Sequence, residues 1–91
     1  MSADRIERIR AALQRELQPI RLEVVDDSHR HVGHAGARDG RGHFTVEVVS
    51  EAFTGRSQLA RHRAVYAAVG DMMDTDIHAL AIVATAPEEC S

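Results

Sequence analysis

The sequence predicts an α+β domain, a three-stranded sheet with helices packed on one face. Three features predict it. Apolar residues recur at intervals of three and four over residues 4–17 and again over 57–73, the spacing of a helical stripe. Residues 20–24 and 43–49 alternate apolar and polar side chains, the period of half-buried strands. A nearly continuous apolar run over 77–84 adds a third strand. At 91 residues the chain supplies one domain, residues 1–91, with a core large enough to fold alone and too small to enclose a deep substrate cavity.

The first helix has Asp4 as its cap, Glu7 at its third position, and Ile6, Ile9, Leu13 and Leu17 along one stripe. Pro19 stops it. Ile20, Leu22 and Val24 then alternate with Arg21 and Glu23 until Asp26, Asp27 and Ser28 close the strand. Residues 28–42 hold four of the six glycines and three histidines without any apolar period, and so predict a long loop. From His43, alternation resumes with Phe44, Val46 and Val48 against Thr45, Glu47 and Val49, so the first two strands form a hairpin that holds the loop at both ends.

Phe53, Thr54 and Gly55 form a turn, and Ser57 caps a helix reaching about Val69, which continues or restarts after Gly70 through Met73. Ideal helical placement puts Leu59, His62, Val65, Tyr66, Val69 and Met73 on one arc, with His62 as a core histidine and Ala60, Ala64, Ala67 and Ala68 facing outwards. Asp74, Thr75 and Asp76 lead into the strand Ile77–Ala84, which reads as buried on both faces. Pro87, Glu88 and Glu89 end the order, leaving 88–91 as a disordered tail.

Charge and cysteine content narrow the function. Eleven basic against 14 acidic residues give a formal net charge of -3, so the whole-molecule field does not favour a phosphate backbone, and a nucleic-acid contact needs a local patch. Cys90 is the only cysteine, which precludes an internal disulfide and fits a reducing compartment; the expected location is cytoplasmic. No apolar run is long enough to span a bilayer, and Asp4 and Glu7 interrupt the start where a secretory signal needs an apolar stretch. There is no nucleophile motif, phosphate loop or suggestive carboxylate pair, so no enzymatic role is expected. Six histidines stand out, four of them (His29, His31, His34 and His43) within fifteen positions.

Four separated segments carry a family resemblance. Phe53-Thr-Gly-Arg56, Arg61-His-Arg63 with Val65 and Tyr66, Ile77-His-Ala-Leu80, and Thr85-Ala-Pro-Glu88 resemble the BolA family signature in order and spacing. Leu22-Glu-Val-Val-Asp-Asp-Ser28 and His43-Phe44 resemble that family's first hairpin. The resemblance implies a KH-like α-β-β-α-α-β fold. It also implies a monothiol glutaredoxin as partner, with a 2Fe-2S cluster shared between the two proteins and glutathione, and a role in iron-sulfur trafficking or iron-dependent regulation. With only histidines in the loop, the chain resembles the histidine branch of the family.

By the same resemblance His78 is the fixed ligand at the start of the third strand, and the second ligand comes from the loop, where His31 and His34 are both candidates. The bland alternative for His78 is a strand-end imidazole bonded to backbone. For the loop histidines it is ordinary polar loop composition, since His29-x-His31 and His31-x-x-His34 are not complete zinc sites. A 2Fe-2S cluster needs four ligands, which one terminal cysteine does not supply, so none is expected on the isolated chain. His43 reads as a residue of the hairpin and not as a ligand.

The alternative function is a transcriptional regulator that binds nucleic acid through a helix-turn-helix or KH-like surface bearing Arg56, Arg61 and Arg63. Helical placement sets Arg61 and Arg63 on different sides, there is no Gly-x-x-Gly loop, and three aromatic residues offer little base stacking. DNA therefore remains the secondary partner. The sequence is compatible with either a monomer or a homodimer.

Overall fold

A computed structural model describes the chain over residues 2–27 and 42–90. Helix α1 (Ser2–Leu17) precedes strands β1 (Arg21–Asp26) and β2 (Gly42–Val49), then helices α2 (Gln58–Val69) and α3 (Met72–Thr75), then strand β3 (Ile77–Thr85). The sheet order is β1-β2-β3, with β1 antiparallel and β3 parallel to the central β2. A parallel pair needs a crossover, and α2 with α3 supplies it. The resulting α-β-β-α-α-β arrangement is the predicted α+β fold.

The α1 stripe does what its spacing requires: Ile9 and Leu13 are fully buried, Leu17 nearly so, and Ile6 packs against their edge. Gln18 takes a left-handed conformation (φ 45°), donates its amide to the Gln14 carbonyl at 3.1 Å, and ends the helix just ahead of Pro19. Ser50 ties this end to the sheet by donating its hydroxyl to the Leu17 carbonyl at 2.6 Å. From β2, Phe44, Val46 and Val48 face the helices and meet Val24, Phe53, Val65 and Val69 in one cluster. The outer face of the sheet, with Glu23, Val25, Ala79, Ala81 and Val83, has no helix over it and is exposed.

Several expectations change. Ile20 precedes β1 and is exposed, so only Leu22 and Val24 carry that strand's inner face. β3 lies at the sheet edge with one face uncovered, and Val83 is half-exposed; its run of small and β-branched residues mimicked two-sided burial. Helix α2 is rotated from the expected arc: it buries Arg61, Val65, Ala68 and Val69 and leaves Leu59 and Tyr66 exposed. His62 is half-buried and not central, and Ala68 faces inwards.

The inward turn of Arg61 meets the terminal segment, which over residues 87–90 is a folded turn and not a loose tail. Residues Pro87–Glu89 form a 3-10 turn in which Glu89 accepts the Ala86 amide at 2.9 Å and two bonds from Arg61. The glycine-rich loop expected over 28–42 ends at Gly42, the first residue of β2, and residues 28–41 lie outside the described residues.

Candidate metal centre

His78 occupies an irregular point in the sheet. Gly42 pairs with Ile77, yet the next residue of β2, His43, pairs with Ala79, so β3 carries one extra residue at His78. Such a bulge resets the side-chain alternation. Counting back from the inner residues Ala84, Ile82 and Leu80, regular alternation would turn residue 78 into the core. The slip instead gives that inner place to Ile77, which is fully buried, and leaves both His78 and Ala79 exposed.

His43 alternates against Phe44 and therefore lies on the uncovered face, half-buried. Its ring centroid is 5.1 Å from that of His78, with the planes tilted by 49°. The two imidazoles thus share one end of the sheet. Both described ends of the histidine-rich loop meet there: the Asp27 amide donates to the His43 carbonyl at 2.7 Å, and Thr45 donates its hydroxyl to the Asp27 carboxylate.

The bulge rests on a charged junction. The Asp76 backbone carbonyl accepts the Gly42 amide at 2.9 Å. Its buried carboxylate meets Arg8 of α1 at 2.9 and 3.1 Å and Arg5 at 3.5 Å, and accepts the Thr75 hydroxyl at 3.0 Å. Burial pushes this carboxyl upwards, but the Thr75 hydroxyl and the two guanidinium groups together hold it below the usual carboxylate range.

His43, which the sequence reads as a residue of the hairpin, is the neighbour that the fold gives His78: each is the second residue of its strand, and two parallel neighbours bring their starts together. Of the other expected ligands, His31 and His34 lie outside the described residues. Cys90 is exposed and lines a shallow cavity of about 190 Å³ with Arg21, Glu23, Glu47, Val49 and Thr85, at the opposite end of the sheet. Eight strand steps separate the two ends of β3, about 25 Å at the usual rise, so Cys90 and His78 of one chain do not reach the same small cluster. Among the described residues no three His, Cys, Asp or Glu side chains are grouped to hold a metal ion. Two imidazoles suit half of a four-ligand site, and the chemistry of that donor set fits a cluster whose remaining ligands come from elsewhere.

The arginines of the nucleic-acid alternative are divided. Arg56 and Arg63 are exposed, whereas Arg61 is buried and its guanidinium is committed to Glu89 (2.7 and 2.9 Å), the Ala84 carbonyl (3.1 Å) and the Arg56 carbonyl (3.0 Å). Arg61 is a structural residue, withdrawn from the surface on which sequence reasoning placed it. No helix among the described residues is long and apolar enough to cross a membrane.

Comparison with known proteins agrees with this architecture. The BolA-like protein family matches residues 13–89. Protein BOLA1, chloroplastic, of Arabidopsis thaliana is 43% identical over 89 residues, covering 94% of this chain and 56% of that protein. The DNA-binding transcriptional regulator BolA of Escherichia coli is 45% identical over 76 residues, covering 84% of this chain and 70% of the regulator. SufE-like protein 1 of Arabidopsis thaliana is 46% identical over 87 residues, but the chain spans only 24% of its length. The solved BolA domain of SufE1 from the same plant superposes with a TM-score of 0.82 at 45% identity, covering 93% of this chain and 94% of that one. A family match from the last turn of α1 through the sheet, α2 and the terminal turn, joined to the same fold in a solved domain, means that this chain belongs to the BolA-like protein family.

Proposed function

We propose that this protein is the histidine-donating partner of a monothiol glutaredoxin, the two jointly holding a 2Fe-2S cluster with glutathione for iron-sulfur trafficking or iron-dependent regulation. The observation that carries this reading is the exposed His78 on a sheet bulge beside His43, at the end where the histidine-bearing loop departs and returns. His78 is the strand-borne ligand, and His31 or His34 of the loop, or His43, is the second. On this reading the chain is of the histidine branch of the family. The protein acts by binding and not by catalysis, in a reducing compartment such as the cytoplasm.

The chemistry explains why two molecules are needed. Imidazole ligation removes negative charge relative to thiolate and raises the cluster's potential, and the thiolates come from the glutaredoxin and glutathione. Reconstitution tests the reading: the chain alone should remain colourless, and its mixture with a monothiol glutaredoxin and glutathione should give a cluster whose visible spectrum differs from that of glutaredoxin alone. A coloured stoichiometric cluster on the isolated chain, or an unaltered glutaredoxin spectrum in the mixture, would sink it.

One observation favours a second reading. The Escherichia coli relative is named a DNA-binding transcriptional regulator, and Arg56 and Arg63 remain exposed around the start of α2. On that reading salt-sensitive DNA affinity depends on Arg56 and Arg63 and survives His78→Ala. Equal loss in cluster-free His78→Ala would place His78 in the DNA contact instead.

A further inference from the structure

The buried side chains include only three polar or charged residues, Ser50, Arg61 and Asp76, among those described. Ser50 closes the end of α1 and Arg61 anchors the terminal turn, as shown above. Asp76 stands apart because of where it sits: immediately before Ile77, and two residues before the bulge that turns His78 outwards. We infer that Asp76 is the positioning residue of the His43–His78 pair, clamping the start of β3 to α1 and to the first residue of β2 so that the sheet slips at His78.

Three contacts make the clamp. Its amide donates to the Met72 carbonyl at 2.8 Å and so ends α3. Its carbonyl accepts the Gly42 amide and sets the Gly42–Ile77 pairing on one side of the slip, while His43–Ala79 lies on the other. Its carboxylate, held by Arg8 and Arg5, fixes the residue relative to a helix whose neighbouring stripe is locked in the core. A bulge leaves one residue outside the ladder, so local pairing alone specifies its position weakly. A buried carboxylate with two guanidinium partners and a hydroxyl donor specifies it strongly, because any displacement leaves charge buried without its partners. The clamp also fixes Gly42, the point at which the histidine-rich loop rejoins the sheet.

This inference takes its functional meaning from the histidine-ligand reading above, but its test needs neither metal nor partner. In the cluster-free protein, inter-ring NOEs between His43 and His78 report the pair, and hydrogen exchange at the Gly42 amide reports the junction. Asp76→Asn should abolish the inter-ring NOE and speed Gly42 exchange about tenfold, the scale of losing one hydrogen bond in a charged network. If that variant does not fold, the Arg5→Ala/Arg8→Ala double variant, which keeps Asp76, should give the same two changes. Arg8→Lys should retain the NOE, since a cation remains opposite the carboxylate.

Val65→Ala is the control, because it opens a cavity in the core away from this junction and lowers stability without touching the clamp. It should leave both signals in place. An inter-ring NOE and a Gly42 exchange rate that are unchanged in Asp76→Asn would overturn the inference, as would equal losses in Val65→Ala at a matched melting temperature. A heterocomplex cluster that keeps its spectrum although the NOE is lost would show that ligation does not need His43 beside His78 and leave the clamp standing, whereas a wild-type mixture that leaves the glutaredoxin spectrum unaltered would refute the histidine-ligand reading alone.

Discussion

Arg61 and Glu89 form a two-pronged pair, Nη1 to Oε1 at 2.7 Å and Nη2 to Oε2 at 2.9 Å, between a buried guanidinium and a half-exposed carboxylate. The two ends are unequal. Arg61 also serves the Ala84 and Arg56 carbonyls, so its loss leaves the Glu89 carboxylate and both carbonyls without their donor, whereas the loss of Glu89 leaves a cation that still has two carbonyl partners. Arg61→Leu should therefore lower the urea midpoint more than Glu89→Gln. Equal midpoints would show that the carboxylate pair, and not the backbone anchoring, dominates this corner.

The same pair predicts an acid limb in the stability curve. The Arg61 hydrogen bonds and the Ala86 amide hold the Glu89 carboxyl down to about 2, below its ordinary value near 4.5. A carboxyl depressed in the folded state binds fewer protons than in the unfolded chain, so its stabilisation is present at neutral pH and is lost as pH falls from about 4.5 towards 2. Glu89→Gln should flatten that segment of the curve and leave the slope above pH 6 unchanged. A wild-type slope that persists in Glu89→Gln would assign the acid limb to other carboxylates.

Gly55 offers a backbone prediction free of packing effects. Its φ is +76°, and a Cβ placed there meets nothing within 4 Å, so Gly55→Ala adds no clash and only strains the turn that joins the buried Phe53 to the α2 cap. The expected destabilisation is about 1 kcal/mol, the usual penalty for an L-residue in the left-handed region. Gly55→Asn should lose less, because its side chain tolerates that conformation. A neutral Gly55→Ala in thermal or urea unfolding would mean that the turn relaxes to negative φ.

What the sequence made legible was local. The α1 stripe of Ile9, Leu13 and Leu17, the Ser57 cap with its 3.1 Å bond from the Ala60 amide, and the alternation of Phe44, Val46 and Val48 each follow from neighbours a few positions apart. What escaped was set by distant partners. The inward turn of Arg61 is decided by Glu89, 28 positions away, and no helical period encodes a charge that prefers the interior. The exposed face of β3 depends on sheet order, which an apolar run such as Ala79–Val83 does not specify. At the candidate site His78 was legible through its motif, while His43 joined it only through a parallel register with a one-residue slip.

That slip fixes His78 on the strand and its bulge, and so sets the size of its mutational effect. His31 and His34 are two candidates three positions apart in one glycine-rich stretch of sequence, so each is tested singly and together. His78→Ala should make the glutaredoxin heterocomplex lose its colour at least about tenfold faster, the low end for losing even an outer partner of a metal ligand, and revert it to the glutaredoxin-only spectrum. Single changes at His31 or His34 should have small effects, and the double change to alanine should alter the spectrum and shift the potential downwards if the loop supplies the second imidazole. His43→Ala is the decisive comparison: if His43 supplies it, this variant carries the spectral change and the loop double variant does not. Acidification should loosen the cluster before it unfolds the protein, because a protonated imidazole does not coordinate. Survival of spectrum, stability and pH response through His78→Ala, His43→Ala and the loop double change would remove these four histidines from the site and leave the family assignment without this mechanism.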